Sequence, residues 1–439
     1  MSETRSAPGG PGQVRTLVVA GAALVASTGL LLALRLASAG STAPPAQPTP
    51  VVSAAVPPAD HPQGPVPAVD AGGTSATPPV ERVALGRAIF LDDTLSEPRG
   101  TSCASCHDPS RAFAGDHGSK LGVPLGSRPG HLAKRSSPSL LYLKFVRPFR
   151  LHWEEDAPLV DAYGGFFWDG RVDSLAELVK QPLLNPDEMN GQNTRTVAGK
   201  IAAAPWAGEL ARQSPGALDD PDAAVRALGV AIEAYLLSPE MAPFTSRYDD
   251  FVRGGAPLSP LEARGMALFK DSAKGGCAAC HRMDDRSKNP ERSLFTDYAF
   301  DAVAPPRNRA LPATRDPAYF DLGLCERRDA EYKAQAEQFC GSFRTPSLRN
   351  VAVRSSYMHN GTFTRLRDVV AFYATRATNP KRWYGPARAY DDMPAKYREY
   401  VNVDKAPYNR QEGETPALDD GEVDAIVAFL GTLTDKPAR

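Results

Sequence analysis

An excess of charge of either sign is missing from this sequence. Lysine and arginine total 50 against 51 aspartate and glutamate, a formal net charge of -1, and no stretch concentrates basic residues. Nucleic acid and acidic membrane surfaces therefore have no electrostatic claim on the chain as partners. Long apolar runs are almost absent as well. The exception is Thr16 to Leu34, "TLVVAGAALVASTGLLLAL", nineteen uncharged residues preceded by Arg5 and Arg15 and followed by the small residues Ala37, Ser38 and Ala39. This has the build of an export signal, and it is equally long enough to stay as an anchor in the inner membrane. Either way the rest of the chain is expected in the periplasm. Large apolar residues are scarce from Gly40 to Pro79, where the chain is mostly Pro, Ala, Val, Thr and Ser. Such a segment cannot bury enough surface to offset its ordering entropy, so residues 41–79 are expected to be a disordered linker after an N-terminal signal or anchor over residues 1–40.

Cysteine is also sparse, and four of the six residues fall into two short motifs. Cys103, Cys106 and His107 form "CASCH", and Cys277, Cys280 and His281 form "CAACH". C-x-x-C-H is the attachment pattern of c-type haem, in which two thiols add to the vinyl groups and the adjacent histidine ligates iron from one face. A redox dithiol or half of a zinc site is the competing reading of one copy. A second copy in an exported chain argues for haem, and two covalent haem c groups are expected.

The surroundings of the motifs repeat. Leu85, Gly86 and Phe90 precede the first, and Gly265, Leu268 and Phe269 precede the second, at a period of 174 residues from Cys103 to Cys277. Each half should end in a helix packing back on its first: residues 221–237, with Leu228, Ile232 and Tyr235 on one face, and residues 419–433, capped by Asp419 or Asp420, with Val423, Ile426, Val427 and Leu430 as its stripe. The expected fold is mainly α, two tandem cytochrome c-like domains over 80–245 and 246–439, joined by a linker within "SPEMAPFTSRYDDFVRGGAPLSP". Cys325 and Cys340 remain. Outside the cytoplasm such a pair is expected to form a disulfide worth about 3 kcal/mol, free thiols being the alternative.

Two further segments, "FFWDGRVDSLAELVKQPLLNPDEM" (166–189) and "FRTPSLRNVAVRSSYMHNGTFTRLRDVVAFY" (343–373), resemble signature segments of the bacterial di-haem cytochrome c peroxidase and MauG family, and the resemblance runs from about residue 80 to about 435. It implies a peroxide-reacting haem on His107 and an electron-transfer haem on His281. Trp168 matches the family tryptophan between the haems. Glu188 matches a distal acid able to move a proton during O–O cleavage, and Pro182 a proline at the same face. Leu178 stands where many members have glutamine. His117 and His131 follow the first motif but lack the spacing of a distal ligand, which falls on Val123, so both are read as surface histidines and the first haem as open at rest. The calcium ion of relatives is uncertain here: its asparagine becomes Ser136, and its carbonyl donors map to Arg354 and Ser356. His359 is expected to be a hydrogen-bonding partner near the second haem.

The second haem's other ligand decides between mechanisms. Peroxidase members place methionine fourteen residues past the histidine of "HDG" or "HNG"; fourteen past His359 is Tyr373, and Met358 and Met393 are off that register. MauG has a ligating tyrosine there. In "VVAFYATR" alone, Tyr373 could as well be core. Thioether is soft and favours reduced iron, whereas phenolate is hard and favours oxidised iron. A peroxidase fed by a small electron-donor protein is thus set against a MauG-like enzyme that uses peroxide to oxidise another protein or small substrate. A non-catalytic di-haem electron carrier is the third reading.

Overall fold

In the computed structural model the described residues are 77–153, 160–329, 332–333, 335–386 and 389–436. The expected signal or anchor and nearly all of the expected linker to Pro79 lie outside them. None of the described helices is long and apolar enough to cross a membrane. The chain from Asp70 to Arg439 forms one compact unit.

That unit is helix-rich with few strands. Along the chain the helices are α1 (Val80–Leu91), α2 (Cys103–Cys106), α3 (Leu175–Leu184), α4 (Thr194–Ala203), α5 (Ala207–Gln213), α6 (Pro221–Leu236), α7 (Arg247–Val252), α8 (Pro260–Lys270), α9 (Leu366–Thr375), α10 (Pro380–Tyr384) and α11 (Asp420–Gly431). Two antiparallel pairs, β1 (Arg150–Trp153) with β2 (Val160–Tyr163) and β3 (Phe300–Asp301) with β4 (Phe343–Arg344), complete the regular structure among the described residues.

Two large apolar clusters divide the sequence. The first draws on residues 85–241 and the second on residues 248–433. Each is built on a pair of helices: α6 packs on α1, and α11 on α8. Leu228, Ile232 and Tyr235 of α6 are buried, as are Val423, Ile426 and Leu430 of α11, while Val427 is half-buried. The helix starts follow capping chemistry. Ser259 and Glu262 exchange side-chain and backbone bonds at the head of α8, as do Asp419 and Glu422 at the head of α11. Each pair crosses at a glycine. A Cβ on Gly86 would run into the Ala231 carbonyl, and one on Gly265 into the Ala425 carbonyl, so neither contact tolerates a side chain.

The segment expected to be a bare linker is folded. It holds a 3-10 turn at Pro239–Met241 and helix α7, and Tyr248 and Asp249 on α7 are fully buried. Asp249 binds Arg349 at 3.0 Å with both side chains sealed from solvent. Burial of that carboxylate anchors α7 against the second half, which the low apolar content of the segment conceals. Cys325 and Cys340 are joined by a disulfide.

Candidate haem sites

Both C-x-x-C-H motifs lie in a single helical turn, α in the first and 3-10 in the second. Cys103 to Cys106 form a single helical turn whose cap is His107, and Cys277 to Ala279 form a 3-10 turn leading to Cys280 and His281. All four thiols are free and half-buried. The Nδ1 atom of His107 lies 2.9 Å from the Phe113 carbonyl, and that of His281 lies 3.0 Å from the Phe295 carbonyl. A carbonyl only accepts, so in each ring Nδ1 carries the proton and Nε2 keeps its lone pair free for a metal. Burial holds both imidazoles down at about 4, which keeps them neutral and ligand-competent.

The chain just before each accepting carbonyl is held by a second repeat that sequence reading did not separate. Ser139 Oγ donates to Ala112 at 2.6 Å, and Ser347 Oγ donates to Leu294 at 2.6 Å, in each case the residue before the phenylalanine that holds the histidine. These serines sit in "SPSL" (137–140) and "TPSL" (345–348), a similarity visible in the sequence once the two halves are aligned on their histidines.

The same correspondence relates the two signature segments. Trp168-Asp169-Gly170 and His359-Asn360-Gly361 each sit in a tight turn closed by an isolated bridge, Phe166 with Val172 and Tyr357 with Phe363. The residue before each motif head has a left-handed backbone, Phe167 at φ 64° and Met358 at φ 66°. Each turn leads into a helix, α3 or α9. Counting fourteen from Trp168 gives Pro182 on α3, and fourteen from His359 gives Tyr373 on α9. Pro182 and Tyr373 are thus counterparts, one with no ligating atom and the other with a phenol.

The turns are tied across the halves. The Ser136 amide donates to the His359 carbonyl at 2.8 Å, and the Arg344 amide donates to the Trp168 carbonyl at 2.8 Å. The Trp168 indole N–H donates to the Ser136 carbonyl at 2.8 Å, and the ring is buried. Asp169 is bound by Arg135 at 2.6 Å, and Arg135 is bound in turn by Asp321 at 2.7 Å. His359 is buried and stacked on Phe343 at 3.5 Å between ring centroids. Burial pushes its pKa down to about 3, so it is neutral.

Glu188 is half-buried beyond the end of α3 and raises the pKa of the Cys106 thiol, which places its carboxyl near the first motif. Desolvation raises its own pKa, opposed by the Arg171 guanidinium and a bond from Asn185. A cavity of about 380 Å³, lined by Arg171, Lys180, Gln181, Asn185 and Glu188 among others, reaches the carboxyl. Leu178 packs against the first core. Val123 is fully buried, and the loop histidines are engaged locally: His117 with the Leu125 carbonyl at 2.9 Å, and His131 with Asp187 at 2.8 Å.

Tyr373 is half-buried, and the Cys280 and Cys277 thiols are close enough to raise its pKa, together with a dominant desolvation effect. Tyr373 and Cys277 both pack against the second core. Burial lowers the pKa of Arg344, which makes no ion pair among the described residues and donates from Nε to the Phe167 carbonyl at 3.2 Å. Free thiols and neutral imidazoles with open Nε2 atoms fit a haem at each motif.

Calcium does not fit. Arg354 donates to the Ser356 carbonyl at 3.2 Å, the Ser137 carbonyl at 3.0 Å and Ser136 Oγ at 3.3 Å. Ser136 Oγ also meets Ser356 Oγ at 3.0 Å, and the Arg354 carbonyl accepts from Tyr357 at 3.2 Å. A guanidinium thus occupies the oxygens that a calcium ion would need, and a dication beside it would be repelled.

Comparison with known proteins agrees with this geometry. The model of the di-haem cytochrome c peroxidase family matches residues 80–256. The methylamine utilization protein MauG of Paracoccus denitrificans is 37% identical over 360 residues, covering 80% of this chain and 88% of that protein. The chain belongs to the di-haem cytochrome c peroxidase and MauG family. The cytochrome c551 peroxidase of Pseudomonas aeruginosa is 27% identical, covering 81% of this chain and 79% of its own. The crystal structure of the diheme peroxidase BthA from Burkholderia thailandensis is 50% identical, with a TM-score of 0.77 over 82% of this chain and 87% of that one. The family member described here is a di-haem peroxidase-like oxidoreductase, and haem c is its cofactor class. Its relatives imply peroxide as oxidant and a redox partner or protein substrate on the other side of the reaction.

Proposed function

We propose that this enzyme is MauG-like in mechanism: it reacts with hydrogen peroxide in its resting oxidised form and passes the oxidising equivalents to another protein or small substrate. The observation that carries this reading is the pairing of Pro182 with Tyr373. The two sit at matching positions on α3 and α9, so α3 would offer the first haem no ligating atom there, while α9 would offer the second the Tyr373 phenol. Haem iron supplies the redox chemistry of peroxide cleavage. The chain supplies the rest.

His107 and His281 each present Nε2 to iron with the ring fixed by its carbonyl bond. Cys103 and Cys106 hold one haem, and Cys277 and Cys280 the other. Glu188 accepts a proton from peroxide and returns it to the departing oxygen, its cavity bringing peroxide in. Pro182 keeps the face near Glu188 free of a competing ligand. Trp168, its indole bonded to the Ser136 carbonyl of its own half and its backbone carbonyl to the Arg344 amide of the other, would serve as the electron path. Tyr373 would hold the second haem through its phenolate oxygen, a hard donor that favours oxidised iron. A plain electron carrier would need a ligand at the place Pro182 holds and would have no use for Glu188. The Arg354 guanidinium stands in for calcium. Two domains, one per motif, follow from the two cores, and export to the periplasm follows from haem attachment and the Thr16 to Leu34 run.

Electron paramagnetic resonance of the resting holoenzyme tests the assignment. One high-spin and one low-spin ferric signal are expected, and Tyr373→Phe should alter only the low-spin one. Two low-spin signals in the wild type, or a low-spin signal untouched by the substitution, would overturn it.

A further inference from the structure

The turn that carries Trp168 is held residue by residue. The Arg344 Nε atom donates to the Phe167 carbonyl at 3.2 Å, and the Arg344 amide donates to the Trp168 carbonyl at 2.8 Å. The Asp169 carboxylate accepts from Arg135 at 2.6 Å, and Arg135 is gripped in turn by both oxygens of Asp321 at 2.7 Å. The Arg327 guanidinium donates to the Gly170 carbonyl. Four consecutive residues of the first half are thus tied to residues 321–344 of the second, Asp169 through Arg135.

Arg327 does more than cap one carbonyl. It is 7% exposed, and its Nη2 donates to Asp173 Oδ2 at 2.8 Å while its Nε donates to Asp329 Oδ2 at 2.6 Å. The guanidinium also lies over the Phe149 ring, 4.1 Å from its centre. Asp173 accepts from the Phe149 amide at 2.8 Å and stands just before Ser174, the N-cap of α3. One planar fork therefore spans the Gly170 turn and the start of α3, a reach that the single ammonium of lysine does not reproduce. Burying a guanidinium adds little net stability, because desolvation offsets the pairing. What the fork contributes is direction.

The segment that carries Arg327 is itself closed. Cys325, two residues earlier, forms the disulfide with Cys340. Beside it the Leu324 amide donates to the Ser342 carbonyl at 2.9 Å, and the Gly341 amide to the Leu322 carbonyl at 2.9 Å. Gly323 permits this approach: its φ is 60°, and a Cβ there would run into the Ser342 carbonyl. Residues 321–327 and 341–344 are therefore one piece, with Asp321 and Arg327 at one margin and Arg344 at the other. Phe300 on β3, paired with that piece through β4, closes on the turn so tightly that a Cβ on Gly170 would lie 2.7 Å from its ring.

We infer that Arg327, carried on this disulfide-closed clamp, is a positioning residue for Trp168: reaching across from the second half, it fixes the turn that aims the indole and thereby sets how fast electrons cross between the haems. The inference rests on the reading of Trp168 as the electron path. Arg327 acts through the Gly170 carbonyl, two residues from the indole.

Arg327→Lys in the holoenzyme keeps the charge and gives up the fork. After pulse reduction of the oxidised protein, the electron should equilibrate between the haems about tenfold or more slowly than in the wild type, with both midpoint potentials unchanged. The amides of residues 166–172 should exchange faster in deuterated solvent. Trp168→Phe, measured alongside, should slow equilibration too. Unchanged rate and exchange in Arg327→Lys, beside a slow Trp168→Phe, would overturn the inference and leave the electron path standing. Equilibration at the wild-type rate in Trp168→Phe removes the path and the inference with it. Cys325→Ser combined with Cys340→Ser spares Arg327 and opens the clamp. The same amides should again exchange faster, and protection equal to the wild type would likewise overturn the inference.

Discussion

At Glu188, burial and a neighbouring guanidinium pull in opposite directions, and burial leads. The carboxyl therefore titrates above its ordinary range, with the Arg171 charge limiting the rise. In the proposed mechanism the ionised form is the base that takes the peroxide proton. The rate of the peroxide reaction should hence be full at neutral pH and fall as pH drops through this raised pKa. Glu188→Gln should slow the reaction by about 10²–10⁴-fold and abolish that acid limb. Stopped-flow rates across pH check both effects, and an acid limb that persists in the variant would assign the titration elsewhere. Burial governs Tyr373 as well. Desolvation, with the Asp301 carboxylate adding to it, raises its pKa, so the unmetallated phenol is neutral, and an iron ion would be needed to hold it as phenolate.

Among the elements, the glycine crossings carry the most stringent fit. Gly265 on α8 meets the Ala425 carbonyl of α11 with no room for a methyl group, so Gly265→Ala must part the helices that build the second core. Such overpacking typically costs about 1–3 kcal/mol. A lowered midpoint in thermal unfolding, with haem content retained, is the expected result; an unchanged midpoint would mean the crossing is looser than it is drawn here. These crossings were legible in the sequence, because glycine, apolar period and capping residues all act within one helix or one helix pair. So were the histidine motifs. The turns holding Trp168 and His359 were legible as motifs, but their fastening was not. Ser136 reaches His359, and Arg344 reaches Trp168, through backbone amides, which carry no side-chain signature. The same blindness hid α7, whose place is set by one buried pair, Asp249 with Arg349. Arg327 escaped notice for another reason: it lies 157 residues past Gly170, and only the fold brings the two together.

For the whole molecule, the two halves share a seam in which each half's turn is bonded by the other half's proline segment. Trp168 occupies that seam with its N–H and its carbonyl both engaged, so the residue proposed as the electron path is also held at the joint between the halves. Arg354 lies in the same seam with its charge directed at Ser136, Ser137 and Ser356 oxygens. The protein should consequently need no calcium. Metal analysis of the purified holoenzyme is expected to find iron without stoichiometric calcium, and chelator treatment should leave its peroxide reaction intact; loss of activity restored by calcium would contradict the fit drawn from Arg354. In the proposed mechanism electrons moving between the haems pass Trp168 in this seam, which would let a ligand difference on α9 matter at the other site.

The central claim is that Tyr373 lets the enzyme take up oxidising equivalents without first being reduced. Stopped-flow spectroscopy of the fully oxidised holoenzyme mixed with peroxide, beside Tyr373→Met, tests it most directly. The wild type should convert rapidly to a long-lived oxidised form, and the methionine variant should lose that persistence. A wild type that is inert until half-reduced, and reacts only then, would contradict it.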